Sequence, residues 1–115
     1  MLYYLLKENI LKGVSRLSTR LNHMTISKEM KNNLCTNLGE NLSTIRAKTN
    51  ISQNELASKL GITRQTITAI ETKKRVMQWN TFISLVLLFS RNDEARAIME
   101  FMGIYTSEVQ KALEI

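Results

Sequence analysis

The chain reads as all-α: a compact bundle of about five helices preceded by an amphipathic helix. Three observations predict this. Among 115 residues there is no proline and glycine occurs only 4 times, so little interrupts a helical run. Apolar residues recur at three- and four-residue spacings rather than in alternation. Strand signals, such as alternating Val, Ile, Thr and Tyr runs closed by Asn-Gly or Asp-Gly turns, are missing. The length suits one small domain with appendages, and a hydrophobic content of 43% is enough to build a core.

The first element is an amphipathic pattern over residues 1–22. Leu2, Leu5, Leu6, Ile10, Val14, Leu17 and Leu21 make one stripe, with Lys7, Lys12, Arg16 and Arg20 mostly off it. Three readings stay open: a helix packed on the domain or on a second subunit, a basic helix lying on a membrane surface, or a segment poorly ordered in the isolated protein. Met24 and Met30 could each serve as an alternative start. Residues 23–38 are polar with scattered apolar positions, which suggests a linker and a short helix from about Lys28 to Cys35. A helix over 39–50 follows, with Leu42, Ile45 and Ala47 toward the core and Asn50 closing it in a left-handed conformation.

Gln53 to Thr72, QNELASKLGITRQTITAIET, reads as two short helices around a tight turn. Ser52 and Glu55 form a capping box, S-x-x-E, that opens the first helix. Leu56, Leu60, Ile62, Ile67 and Ile70 are the apolar positions, and Ala57 is the small residue where the backbones cross. Gly61 ends the first helix in a left-handed turn, which costs glycine least. Thr63 caps the second helix. The expected scaffold helix is 53–60 and the expected recognition helix 63–71.

Thr72-Lys73-Lys74-Arg75 is a basic loop. Beyond it, Trp79 precedes Asn80, the expected N-cap of a helix in which Phe82, Leu85, Val86, Leu88 and Phe89 suggest burial on more than one face. A helix over 93–102 opens on Asp93 and Glu94, favourable in a first turn, and Gly103 terminates it. A last short helix spans 107–114, with Val109 and Leu113 on one side. The expected division is 1–38 as amphipathic helix and linker, 39–90 as the helix-turn-helix domain, and 91–115 as C-terminal helices and a dimerisation element.

The segment Gly39 to Phe89 resembles the DNA-binding domain of phage-repressor-like (Cro/XRE-type) regulators, a lambda-repressor-like helix-turn-helix. The resemblance implies an ion pair between Arg46 and Glu71, which ends the recognition helix. It also implies a phosphate contact by Gln53 at the helix N-terminus. The family usually has Asn-Gly where this chain has Thr72-Lys73. A left-handed turn at Lys costs roughly 1 kcal/mol, so the loop is expected to follow a different path.

Charge points the same way. The chain carries net +6; residues 39–75 hold seven Lys/Arg against three acidic residues, residues 1–38 are also net +4, and residues 76–115 are net −2. A positive field over the motif suits a polyanion. Arg64 and Gln65 begin the recognition helix, where side chains reach base edges in the major groove. Arg pairs bidentately with guanine and Gln with adenine. Thr68 and Ala69 lie one turn on. Gln53, Thr63, Thr66, Lys73, Lys74 and Arg75 are the phosphate candidates.

The expected function is therefore a sequence-specific double-stranded-DNA-binding regulator, of repressor type and bacterial or phage character. It would act as a homodimer on a palindromic operator, with Ile98, Phe101, Met102 and Leu113 as candidate dimer contacts. The alternative is a protein-interaction module, such as an antitoxin or inhibitor built on the same fold. An enzyme is not expected: one His, His23, and one Cys, Cys35, lie in the weakly patterned linker, with no carboxylate constellation or Gly-rich phosphate loop. No metal site and no cofactor are expected. Cys35 reads as a small buried hydrophobe, and a lone cysteine excludes an internal disulfide. No run approaches the ~18–20 apolar residues of a membrane span, and the N-terminus lacks signal-peptide features. The expected location is the cytoplasm.

Overall fold

A computed structural model describes residues 26–113 together with Ile10 and Lys12. The described residues form six helices: α1 Lys28–Thr49, α2 Gln53–Leu60, α3 Arg64–Glu71, α4 Trp79–Phe89, α5 Asp93–Phe101 and α6 Ser107–Leu113. There is no strand among them. The amphipathic helix expected over residues 1–22 lies outside the described residues apart from Ile10, which rests half-buried against the core, and the exposed Lys12.

α1 departs from the expected linker and short helix. It is one helix of 22 residues, begun by Ser27, whose hydroxyl accepts from the Met30 N–H. Leu34, Cys35, Leu38, Leu42 and Ile45 recur at helical spacing and are all buried. Burying each large apolar side chain contributes about 1.5–3 kcal/mol. That exceeds the weak helix propensity of the intervening asparagines and of Gly39. Asn37 adds a tie to the far end of the chain, donating to the Met102 carbonyl at 2.7 Å. Ala47, expected to face the core, is exposed. The stripe that Leu42 and Ile45 share leaves position 47 on the far side of the helix.

α1 packs against α3, α4 and α5, so one core serves the whole body. Phe82, Ile83, Leu85, Val86 and Phe89 make α4 its centre, joined by Ala95 and Met99 of α5, Ile104, and Val109 of α6. Leu88 is half-buried. The N-cap of α4 is Gln78, not Asn80, and it makes no side-chain cap. The helix begins two residues earlier than expected, and Trp79 in its first turn stacks on Phe82, with ring centroids 4.9 Å apart and planes 9° from parallel. Lys31 of α1 lies over the Trp79 ring at 5.4 Å, a cation–π contact between the two helices.

Local chemistry ends the helices. Asn50 (φ 56), Gly61 (φ 71), Lys73 (φ 62) and Gly103 (φ 74) all adopt the left-handed conformation. Each makes a Schellman closure, in which the next residue's N–H returns to a carbonyl five residues back: Ile51 to Arg46, Ile62 to Ala57, Lys74 to Ala69 and Ile104 to Met99.

Candidate nucleic-acid interface

The turn between α2 and α3 is Gly61-Ile62-Thr63. The Ser52 hydroxyl accepts from the Glu55 N–H at 3.0 Å and opens α2. The Gly61 and Ile62 N–H groups close it on the Ser58 and Ala57 carbonyls. The Thr63 hydroxyl then accepts from the Thr66 N–H at 3.2 Å and opens α3. Leu56, Ala57, Ile67 and Ile70 are buried, with Leu60 and Ile62 half-buried beside them. Burying Ile67 and Ile70 turns the opposite face of α3 to solvent. Arg64, Gln65 and Thr68 are exposed there, and Ala69 is half-buried.

A chain of charged and polar groups braces that face from behind. Arg46 donates from Nε to Glu71 Oε2 at 2.6 Å and from Nη2 to Glu71 Oε1 at 2.9 Å. Its Nη1 donates to the Ile51 carbonyl at 3.1 Å. One guanidinium thus ties α1 to the end of α3 and to the segment before α2. The two side chains are only 17% and 8% exposed, so water screens the pair weakly. Burial pushes the Glu71 carboxyl up, but hydrogen bonds from Arg46 and Gln53 and the Arg46 charge outweigh it, and the group sits below its ordinary value. The hydrogen bond to Glu71, opposed by burial and aided by the carboxylate charge, holds Arg46 above its own.

Gln53 joins this pair to the exposed face. Its Nε2 donates to Glu71 Oε1 at 2.8 Å. Its Oε1 accepts from Thr68 Oγ1 at 3.0 Å and from Arg64 Nε at 3.4 Å. Sequence reasoning marked Gln53 as a phosphate ligand and missed this bridge. No sequence signal announces it, because its partners lie 11, 15 and 18 residues away.

The basic loop keeps the left-handed turn that the sequence reading expected it to abandon. Lys73 takes φ 62. The Lys74 and Arg75 N–H groups both reach the Ala69 carbonyl, at 2.8 and 3.1 Å, and the Lys73 N–H reaches that of Ile70 at 3.1 Å. Three backbone hydrogen bonds to the carbonyls of Ala69 and Ile70 outweigh the roughly 1–2 kcal/mol a non-glycine residue loses there. Lys73, Lys74 and Arg75 are exposed. Lys73 Nζ lies 3.8 Å from Glu40 Oε1, a solvated pair worth little. Arg75 Nη1 donates to Thr66 Oγ1 at 3.1 Å, and the Thr66 and Thr63 hydroxyls are bonded at 2.9 Å. The loop is therefore fastened to the first turn of α3.

The architecture is that of a helix-turn-helix, and the model of a helix-turn-helix domain family matches residues 39–105, more than half of the chain. The chain belongs to this family. The resemblance to Cro/XRE-type regulators over Gly39 to Phe89 is supported by that match, which continues past α4 through α5. Comparison with curated proteins and with solved structures finds no match. Among the described residues no cluster of His, Cys, Asp and Glu could hold a metal ion, and no helix is long and apolar enough to cross a membrane.

Proposed function

We propose that this helix-turn-helix protein is a sequence-specific double-stranded-DNA-binding transcriptional regulator, acting as a repressor in a bacterial or phage setting. α3 would lie in the major groove. The observation that carries this reading is the exposed row Arg64, Gln65 and Thr68 on a helix braced from behind by Arg46, Glu71 and Gln53. Arg64 and Gln65 supply bidentate donors and acceptors for base edges, and Thr68 and Ala69 extend the row by a turn. Thr63, Thr66, Lys73, Lys74 and Arg75 line its ends with hydroxyls and positive charge for phosphates. The Gln53 amide nitrogen carries a second N–H that can reach one as well.

One such helix reads only a few base pairs, so a homodimer on a palindromic operator follows. Residues 91–115 are its proposed contact, because Phe101 at the end of α5 is 91% exposed. The same exposed ring supports a second reading, in which that end of the molecule holds another protein, as an antitoxin or inhibitor would. Selection of bound sequences from random duplex DNA tests the choice. A palindromic consensus, bound with an affinity that falls steeply with salt, supports the regulator. Absence of salt-dependent binding together with a co-purifying protein supports the interaction module.

A further inference from the structure

The direction of the hydrogen bonds behind α3 carries a consequence for base choice, which rests on the DNA reading above. Glu71, ionised against Arg46, can only accept. The Gln53 amide must therefore turn its nitrogen toward Glu71, as the 2.8 Å bond records. Its oxygen then faces α3, where only donors can approach. Thr68 Oγ1 donates to it at 3.0 Å, and Arg64 Nε at 3.4 Å. A threonine hydroxyl has one proton, and here it is spent inward. What Thr68 keeps for a ligand is its lone pairs. Arg64, held at Nε, keeps Nη1 and Nη2, the fork that fits guanine O6 and N7.

We infer that Gln53 sets the hydrogen-bond sign of the reading surface, committing the Thr68 hydroxyl as an acceptor that selects an exocyclic amino group of adenine or cytosine in the major groove. In the major groove only adenine N6 and cytosine N4 offer such donors, whereas thymine O4 and guanine O6 accept. Gln53 acts here as a positioning residue: it reads the base through Thr68. The orientation passes from Arg46 through Glu71 and Gln53 to Thr68, so a pair inside the fold decides which functional group the surface reads.

The test begins with selection from random duplexes by the wild-type chain and by Thr68→Val, which locates the base pair whose preference Thr68 controls. Duplexes are then synthesised with single groups deleted at that pair. Purine for adenine or 2-pyrimidinone for cytosine removes the amino group; 5-methyl-2-pyrimidinone for thymine or 2-aminopurine for guanine removes the opposing carbonyl. Amino deletion is expected to weaken wild-type binding roughly three- to tenfold and to leave Thr68→Val unaffected, while carbonyl deletion leaves both unaffected. Gln53→Met, which keeps the side-chain length but replaces the amide oxygen with a weakly accepting thioether, should lose the distinction between the two deletions. The inference is overturned if carbonyl deletion is the one that weakens the wild type, if Thr68→Val relaxes no position, or if Gln53→Met keeps sensitivity to amino deletion alone. A wild-type chain that binds no duplex in a salt-dependent way overturns the DNA reading itself, and this inference with it.

Discussion

Arg46 and Glu71, 25 residues apart in the chain, meet through two parallel hydrogen bonds of 2.6 and 2.9 Å. The pair joins α1, the longest of the described helices, to the last residue of α3, so the angle of α3 is set by the body of the protein. Removing one partner strands the other charge in a largely dry site. Arg46→Met is expected to cost about 3–5 kcal/mol. Arg46→Met combined with Glu71→Leu should cost distinctly less, because no unpaired carboxylate is left. Urea denaturation of both variants measures the difference, and a loss below about 1 kcal/mol in the single variant would remove the bracing role.

The same pair shapes the response to acid. The folded protein holds the Glu71 carboxyl below its ordinary value of 4.5. A depressed carboxylate contributes stability that is present above the unfolded value and lost as pH falls through the folded one. Wild-type stability should therefore decline below about pH 4.5. In Arg46→Met the carboxyl loses the cation that lowers it while burial still raises it, so acid costs that variant less. The gap between the two should be widest at neutral pH and narrow toward pH ~3, as read from unfolding curves at several pH values. A gap that stays constant would contradict the assignment.

Lys73 holds φ 62 with a side chain that disfavours it. Lys73→Gly relieves that strain but gives the unfolded chain more freedom, so the expected net gain is about 0.5–1 kcal/mol. In a domain of this size that raises Tm by a few degrees, on the order of 2–6 °C. The exposed contact to Glu40 is too weak to reverse the sign. Thermal unfolding that shows a lower Tm for the glycine variant would contradict the balance argued for this turn.

Arg64 and Gln65 are exposed at the start of α3 and take no part in the core. Arg64→Ala and Gln65→Ala should leave the unfolding midpoint nearly unchanged. Each is expected to weaken binding to the selected operator by about 1–3 kcal/mol and to relax one base position. Lys74→Ala should instead weaken all sequences alike and reduce the salt slope by about one. If both α3 variants bound every sequence as the wild type does, the base-reading assignment would fail.

Phe101 packs against almost nothing within one chain, at 91% exposed. Phe101→Ser should therefore change monomer stability by less than about 0.5 kcal/mol. It should shift self-association toward monomer in sedimentation equilibrium and weaken binding to a two-half-site operator more than to a single half-site. An unchanged oligomeric state would rule out Phe101 as the proposed dimer contact.

Much of the helix-turn-helix was legible because its signals are local. Ser52, Gly61 and Thr63 act on backbone groups within five residues of themselves, and so does Asn50 in closing α1. The apolar spacing of Leu56, Ile67 and Ile70 marks the buried face equally well. Where the reading went astray, the deciding partners lay far away in sequence. The polar stretch before Gly39 looks like a linker until Leu34, Cys35 and Leu38 find the core. Asn80 looks like a cap until Trp79 finds Phe82. Lys73 looks unfit for its turn until the carbonyls of Ala69 and Ile70 are seen to need donors.

The sequence by itself determined the all-α class, the helix-turn-helix with its caps at Ser52, Gly61 and Thr63, and the row of residues turned away from the core. Those follow from periodicity and from hydrogen bonds that close over a single turn. Only the tertiary structure decided that α1 runs unbroken from Lys28 to Thr49, that Arg75 is fastened to Thr66, and that Gln53 faces inward to bridge Glu71 and Thr68. A side-chain amide has two chemically opposite ends, and only the carboxylate that folding brings beside it selects which end faces the recognition helix.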